Sequence, residues 1–307
     1  MRTALIAAVV VLGFGGTIAA VHAPGEPSGL AWAGVVAVAA LSAWLVKRLG
    51  DLPGQGLLAL AAPIAFGATL LALWELLVVG FEVPLALMPA PSAIAARMVS
   101  GAHLLWQDFV QTFLKAVLAG YSIGCGAGFL LALLADRVPF LRRGLLPIGN
   151  LVAALPVVGI APIMVMWFGF DWQSKAAVVV AMTFFPMLVN TVAGLAAAGA
   201  LERDLMRSYA ASHRQTLLLL RLPAALPFIF TALKVNAPLA LIGAIVAEFF
   251  GSPTTGMGFR ITTEAARLAL DMVWAEIVVA AVAGSAFYGA MALIERKVTF
   301  WHPSVRG

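Results

Sequence analysis

Residues able to carry chemistry are few and scattered in this chain. The four histidines, His22, His103, His213 and His302, stand far apart, with no Cys, Asp or Glu at metal-ligand spacing, so no metal site is expected. The single cysteine, Cys125, lies in an apolar run; it rules out an intrachain disulfide and reads as a small core residue. No Gly-x-x-x-x-Gly-Lys-Ser/Thr loop occurs, so any nucleotide chemistry must come from another chain. No catalytic residue and no cofactor is therefore expected. What remains is a surface for binding, and one stretch supplies it: Glu202-Arg203-Asp204-Leu205-Met206-Arg207-Ser208-Tyr209-Ala210-Ala211-Ser212-His213-Arg214-Gln215-Thr216, followed by Leu217 to Leu220, Arg221, Leu222 and Pro223. It is the longest polar interval in the chain and carries Arg203, Arg207, Arg214 and Arg221.

The elements around it must be membrane helices. A mean hydropathy of +1.02, with 63% hydrophobic and 11% charged residues, is far from a soluble domain, where roughly a quarter of residues are charged. The formal charge of +5, from 19 Lys+Arg against 14 Asp+Glu, reports orientation in such a chain, and nucleic acid is not an expected partner.

A helical crossing takes about 20 apolar residues, and eight such stretches can be read. Thr3 to Val21 is the first; Val21-His22-Ala23 also resembles a signal-peptide cleavage site, so this stretch is either a retained span or a cleaved leader. Leu30 to Val46 is the second, stopped by Lys47-Arg48, and Leu57 to Gly80 the third. Phe81 to Gln111, broken by Pro84, Pro89 and Pro91, reads as an external connection in which Ser92 caps a short amphipathic helix through Met98. Thr112 to Ala135 is the fourth span, and its Gly120, Gly124, Gly126 and Gly128 allow close helix approach. The fifth, Leu145 to Gly169, contains Pro147, Pro156, Gly159 and Pro162; irregular backbone at membrane depth belongs beside a cavity, which makes Pro156, Gly159 and Pro162 candidates for lining a pathway. Lys175 to Ala198, Leu226 to Phe250 and Met272 to Ile294 complete the set, with Gly251 to Asp271 an external loop.

Alternating these spans with both termini inside puts Arg2, Lys47, Arg48, Arg137, Arg142, Arg143, Arg203, Arg207, Arg214, Arg221, Arg296, Lys297 and Arg306 on the cytoplasmic side. Only Arg97, Lys175, Arg260 and Arg267 fall outside, with Lys115 and Lys234 near span ends. That asymmetry follows the positive-inside rule and makes the polar stretch cytoplasmic.

Glu202 and Asp204 near the start of that stretch, with arginines further on, suit a helix dipole over Leu201 to Ser212. The residues alone leave two readings open: a solvated loop held near lipid headgroups by its arginines, or a handle for a cytosolic protein, since a mere connector is usually far shorter.

The segment resembles the cytoplasmic coupling loop of ABC importer permeases, whose pattern is Glu-Ala-Ala, three residues, Gly, nine residues, Ile, one residue, Leu-Pro. On this chain the Glu falls on Asp204, the Ala pair on Leu205-Met206, the Gly on Ala210, the Ile on Leu220 and Leu-Pro on Leu222-Pro223. Asp replaces Glu, and Ala replaces the Gly of the turn, where alanine lacks glycine's freedom at positive φ. Gly159-Ile160-Ala161-Pro162, Trp167-Phe168-Gly169, Phe185-Pro186, Val189-Asn190, Ala247-Glu248 and Gly256-Met257-Gly258 resemble the branch serving nitrate, sulfonate, taurine and pyrimidine-type substrates.

The resemblance covers roughly Phe81 to Trp301 and implies an all-α polytopic transmembrane bundle: a type I importer permease core of about six helices over 57–301, two added helices in 1–56, and a cytoplasmic tail, 302–307. It implies inner-membrane localisation and a pair of permeases, the second copy identical. It also implies cytosolic ABC ATPase subunits, a periplasmic or lipid-anchored solute-binding protein, and membrane lipid as surroundings. ATPase coupling would run through 201–223, on Asp204, Arg207, Ser208, Tyr209, Ala210, Ala211, Ser212, Leu222 and Pro223, with Ser208 to Gln215 the contact core and Pro223 a rigid exit into the seventh span.

Polar residues inside spans are functional candidates by default. Glu75 and Glu248 stand near external span ends, where reaching the interface is the ordinary explanation, and Asn190 and Asn236 are expected to make helix-bundling hydrogen bonds, with Asn190 also a candidate pathway residue. The rival reading, a secondary transporter driven by an ion gradient, needs a midplane carboxylate, and none is read in the sequence. An intramembrane enzyme is weaker still, because the histidines fall in loops and tails.

Overall fold

The computed structural model describes residues 61–138 and 156–301, with isolated positions before 61 and between 140 and 144. The first expected span, most of the second, Arg142-Arg143, the part of the fifth span holding Pro147, and the tail 302–307 lie outside the described residues.

All regular structure among the described residues is helical. In chain order the helices are α1 (Ala61–Gly80), α2 (Pro91–Ser100), α3 (Ala102–Arg137), α4 (Val157–Phe168), α5 (Trp172–Ala196), α6 (Ala200–Ser208), α7 (His213–Glu248), α8 (Met257–Ala266) and α9 (Leu270–Val298). Five of these, α1, α3, α5, α7 and α9, are long and apolar enough to cross a membrane, and α4 is a shorter apolar helix. The all-α polytopic bundle read from the hydropathy is what the fold presents.

Two segments differ from the sequence reading. The connection expected to run to Gln111 ends at Gly101, and Ala102 to Gln111 forms the first turns of α3. His103, Gln107, Asp108, Gln111 and Lys115 lower the local hydropathy, yet Asp108 and Gln111 are buried and hydrogen-bonded inside the bundle. Likewise α7 begins at His213 rather than Leu226, running unbroken past Pro223, Pro227 and Pro238. Both long helices pass through wide turns, Val110–Val117 in α3 and Leu217–Arg221 in α7, where the Leu118 N–H donates to the Phe113 carbonyl and the Leu222 N–H to the Leu217 carbonyl. A single wide turn absorbs an irregularity that would otherwise break the helix.

The chain divides into two bodies: residues 1–101 with 264–275, and 102–263 with 276–307. In the first, Glu75 of α1 is buried rather than reaching the interface. Its carboxylate accepts the Ser92 N–H at 2.9 Å and the Ser92 hydroxyl at 2.6 Å. Ser92 is therefore not the cap of α2: Ala90 holds that position with Pro91 behind it, and Glu75 supplies the acceptor that the first turn needs. Trp74 meets Trp274 edge-on with ring centroids 4.9 Å apart.

The second body is built on α3, α5 and α7. Apolar burial does not drive helix association in lipid, so close backbone contact must. Gly120, Gly124 and Gly128 supply it by turning one face of α3 onto α5: a Cβ at Gly120 would lie 2.6 Å from the Ala176 carbonyl oxygen, and those at Gly124 and Gly128 would strike Thr183 and Phe184. Gly126, one of the expected four, faces open space. Asn236, fully buried on α7, donates to the Thr183 carbonyl of α5 at 2.9 Å and to Cys125 Sγ of α3 at 3.3 Å, joining three helices. Tyr121 adds a bond from its hydroxyl to the Leu233 carbonyl at 2.9 Å.

Candidate functional site

The polar stretch folds as two helical pieces around a tight turn. α6 opens at Gly199 with Glu202 in its first turn and closes with Arg207 in its last, the charge order a helix dipole favours. Its end is a Schellman turn: the Ala211 N–H donates to the Met206 carbonyl at 3.0 Å and the Ala210 N–H to the Arg207 carbonyl at 2.9 Å. The turn requires a left-handed residue at position 210, and Ala210 adopts φ +51°. The departure from glycine therefore leaves the turn geometry intact at a cost in backbone strain of roughly 1 kcal/mol.

Ser212 then starts α7 with a capping box. Its hydroxyl accepts the Gln215 N–H at 3.3 Å, while its own N–H donates to Gln215 Oε1 at 2.7 Å. The helix expected from Leu201 through Ser212 thus stops at Ser208, with Tyr209 to Ser212 turning the chain into the next helix.

The surface of this segment is open. Leu201 is 84% exposed, Tyr209 77% and Leu219 71%, and Asp204 and Arg207 form an exposed i,i+3 pair at 3.1 Å. Such a pair is worth little to stability. Ser208, Ala210 and Ser212 are also exposed, and Ala211 is half-buried. Leu222 and Pro223 lie farther on, half-buried inside continuous helix; Pro223 follows the wide turn and does not separate the polar stretch from the seventh span. At the base of the segment Arg221 is held firmly. Its guanidinium makes a two-bond fork with Asp136 of α3, at 2.7 and 2.6 Å, and its Nε donates to the Leu195 carbonyl of α5 at 3.0 Å.

Pro156, Gly159 and Pro162 stand at three-residue intervals on α4: Pro156 caps the helix, Gly159 is exposed and Pro162 is inside it. α4 packs through Ala161 onto Val178 of α5 and Ala247 of α7. Asn190 lies on α5, half-buried, and its amide donates to the Pro186 carbonyl of its own helix at 2.8 Å. Of the two helix-bundling bonds expected, Asn236 makes its own and Asn190 does not, because the Asn190 amide is taken by the Pro186 carbonyl of its own helix. An apolar cavity of about 570 Å³ beside α4 is lined by Ile123, Met164, Trp167, Phe168, Trp172 and Val180, and by none of the four candidate pathway residues.

Sequence reasoning missed a buried cluster of acids. Glu248 is 3% exposed, not interfacial: its carboxylate accepts the Thr112 hydroxyl at 2.7 Å and the Gly258 N–H at 2.6 Å. Asp108 accepts the Gly256 N–H at 2.6 Å and Arg260 Nε at 2.8 Å. Glu276 of α9 is fully buried within electrostatic range of Asp108, Arg260 and Glu248. Gly256 sits at φ +133° with a would-be Cβ 2.6 Å from Glu248, which explains why Ala247-Glu248 and Gly256-Met257-Gly258 occur together: the carboxylate folds the glycine-rich turn against itself. The signal for Asp108 was there in its partner Arg260, though hidden by a separation of 152 residues. Nearby, Asp171 between α4 and α5 accepts from the Gln111 amide at 2.6 Å and from the Trp172 N–H at 2.8 Å. The Gln111 amide first, then Trp172, holds its carboxyl below the usual carboxylate range.

Comparison with known proteins gives the family. The family model described as "Binding-protein-dependent transport system inner membrane component" matches residues 124–300, a span that takes in α4 to α9 and the polar segment. A probable ABC transporter permease protein of Haemophilus influenzae is 32% identical, over 72% of this chain and 89% of its own. The formylaminopyrimidine transport permease protein of Halalkalibacterium halodurans is 31% identical, over 78% of this chain and 95% of its own. A putative aliphatic sulfonates transport permease protein of Bacillus subtilis is 27% identical, over 78% and 87%. The chain therefore belongs to the binding-protein-dependent transport system inner membrane components, the permease subunits of ABC transporters.

Proposed function

We propose that the chain is the membrane pathway of an ATP-driven importer and that residues 201–223 are where a cytosolic ABC ATPase grips it. The observation that carries this reading is the α6 turn. A short helix is closed by a Schellman motif and followed at once by a capped helix, with Tyr209, Leu201 and Arg207 presented to solvent on a stiff frame. A mechanical contact needs stiffness and shape, not a catalytic group, and no chemistry is assigned to this chain. Asp204, Arg207, Ser208, Tyr209, Ala210, Ala211 and Ser212 form the contact, and Leu222 and Pro223 belong to the helix that carries its motion inward.

In this reading the termini and the polar segment face the cytoplasm, an external binding protein delivers the solute to the opposite face, and two copies of the chain form the pathway. Residues 57–301 make up the permease domain and 1–56 an addition to it. Pro156, Gly159, Pro162 and Asn190 contribute to the pathway walls. The formylaminopyrimidine and aliphatic sulfonates in the relatives' names support a small solute of one of those two classes.

A cysteine placed at Tyr209 in a Cys125→Ala background tests the orientation and the contact together. In inverted vesicles it should react with a membrane-impermeant thiol reagent, and bound ATPase should slow the reaction. Labelling from the external face alone would contradict the proposal.

A further inference from the structure

We infer that Arg221 is the positioning residue that makes the ATPase-gripping segment move as one body with α3 and α5; the inference rests on the coupling role proposed above. Three helices meet at its guanidinium. Two of its nitrogens close on the Asp136 carboxylate at 2.7 and 2.6 Å, and the third donates to the Leu195 carbonyl at 3.0 Å. The pair is well shielded, with 15% and 8% of the two side chains exposed.

The chemistry favours a joint over a surface ornament. Asp136 stands in the last turn of α3, where a negative charge opposes the helix dipole, so α3 alone gains nothing from it; the carboxylate is useful as a partner for Arg221. Leu195 lies in the last turn of α5, where carbonyls lack helical partners, and Arg221 satisfies one of them. A bidentate fork fixes orientation as well as distance, which a lysine ammonium does not. The anchor also falls at the end of the wide turn Leu217–Arg221, so it braces α7 where its hydrogen bonding departs from the regular helix. Lys234 and Glu295, at 2.5 Å, make a single-bonded link between α7 and α9 higher on the same helix and do not span three elements.

The test uses the full chain with its co-purified ATPase in lipid. Spin labels are placed at His213 and Leu134 of one copy, in a Cys125→Ala background, diluted with excess unlabelled chain so that only the distance within a chain is read. That distance is measured by pulsed EPR without nucleotide and with ATP plus vanadate. A wild-type distance that stays single and unchanged between the two states supports the joint. Arg221→Lys and Asp136→Asn should keep the ATPase bound while broadening the ATP-state distribution about twofold, since a point charge or a neutral amide cannot hold the fork. Asp136→Arg combined with Arg221→Asp should narrow it again. A wild-type distance that shifts with nucleotide overturns the inference, whatever the variants do. So does an Arg221→Lys distribution identical to wild type. Failure of any ATPase to co-purify with the wild-type chain removes the coupling role itself and the inference with it.

Discussion

Glu248 on α7 accepts the hydroxyl of Thr112 on α3 at 2.7 Å, and its other oxygen takes the N–H of Gly258 at 2.6 Å. The carboxylate thereby holds a helix and a glycine turn distant in sequence. Glu248→Ala strips the acceptor from two buried donors and should cost roughly 3 kcal/mol. Thermal unfolding in detergent would register this as a clear fall in midpoint, and Glu248→Gln, which keeps one acceptor, should lie between. An alanine variant as stable as wild type would remove the buttress from the account.

Ala210 occupies the left-handed position of the turn that ends α6. Ala210→Gly should relieve about 1 kcal/mol of strain locally. Amide exchange at Ala210 and Ala211, whose N–H groups close the turn, should slow by about fivefold. Faster exchange would mean that the turn opens for other reasons.

The α3 and α5 contact is set by glycine. Gly120→Leu would drive a side chain into the Ala176 backbone and should cost on the order of 2–3 kcal/mol or abolish folding. Gly126→Ala, which meets open space, should be neutral and serves as the control; unfolding curves for the pair decide it. Equal tolerance at the two positions would contradict the close approach.

Asp171 has its carboxyl held below the usual range by the Gln111 amide and the Trp172 N–H. A folded-state value beneath the unfolded one gives stability that is present above the ordinary carboxylate range and disappears as pH falls through the folded value. The wild-type advantage over Asp171→Asn should therefore be present at neutral pH and close in acid. An advantage that grows in acid would contradict the assignment.

The membrane architecture was legible because spans of apolar residues leave little alternative in lipid. The polar segment was legible for the complementary reason: four arginines among hydrophobic spans stand out. Its fine structure was less so, since the strained Ala210 turn and the Ser212 capping box are set by backbone geometry that neighbouring residue types only permit. The first turns of α3 were misread because Asp108 and Gln111 look like loop residues until Arg260, Gly256 and Asp171 are known to face them. Glu75 and Glu248 were misread in the same way. A carboxylate near a span end is ordinarily solvated, and only the fold reveals the N–H and O–H groups that turn each one inward.

In the proposed function this permease is driven by an ATPase seated on residues 201–223. The most direct test is a mild-detergent pull-down of the tagged chain from its native membrane, with mass spectrometry of what comes with it. The account predicts an ATPase carrying a phosphate-binding loop, lost when Arg207→Glu and Tyr209→Ala are combined while the chain itself is recovered in normal yield. Recovery of the same ATPase with that double variant would contradict the docking site. Recovery of none with wild type, with uptake that collapses when the ion gradient is removed, would contradict the mechanism.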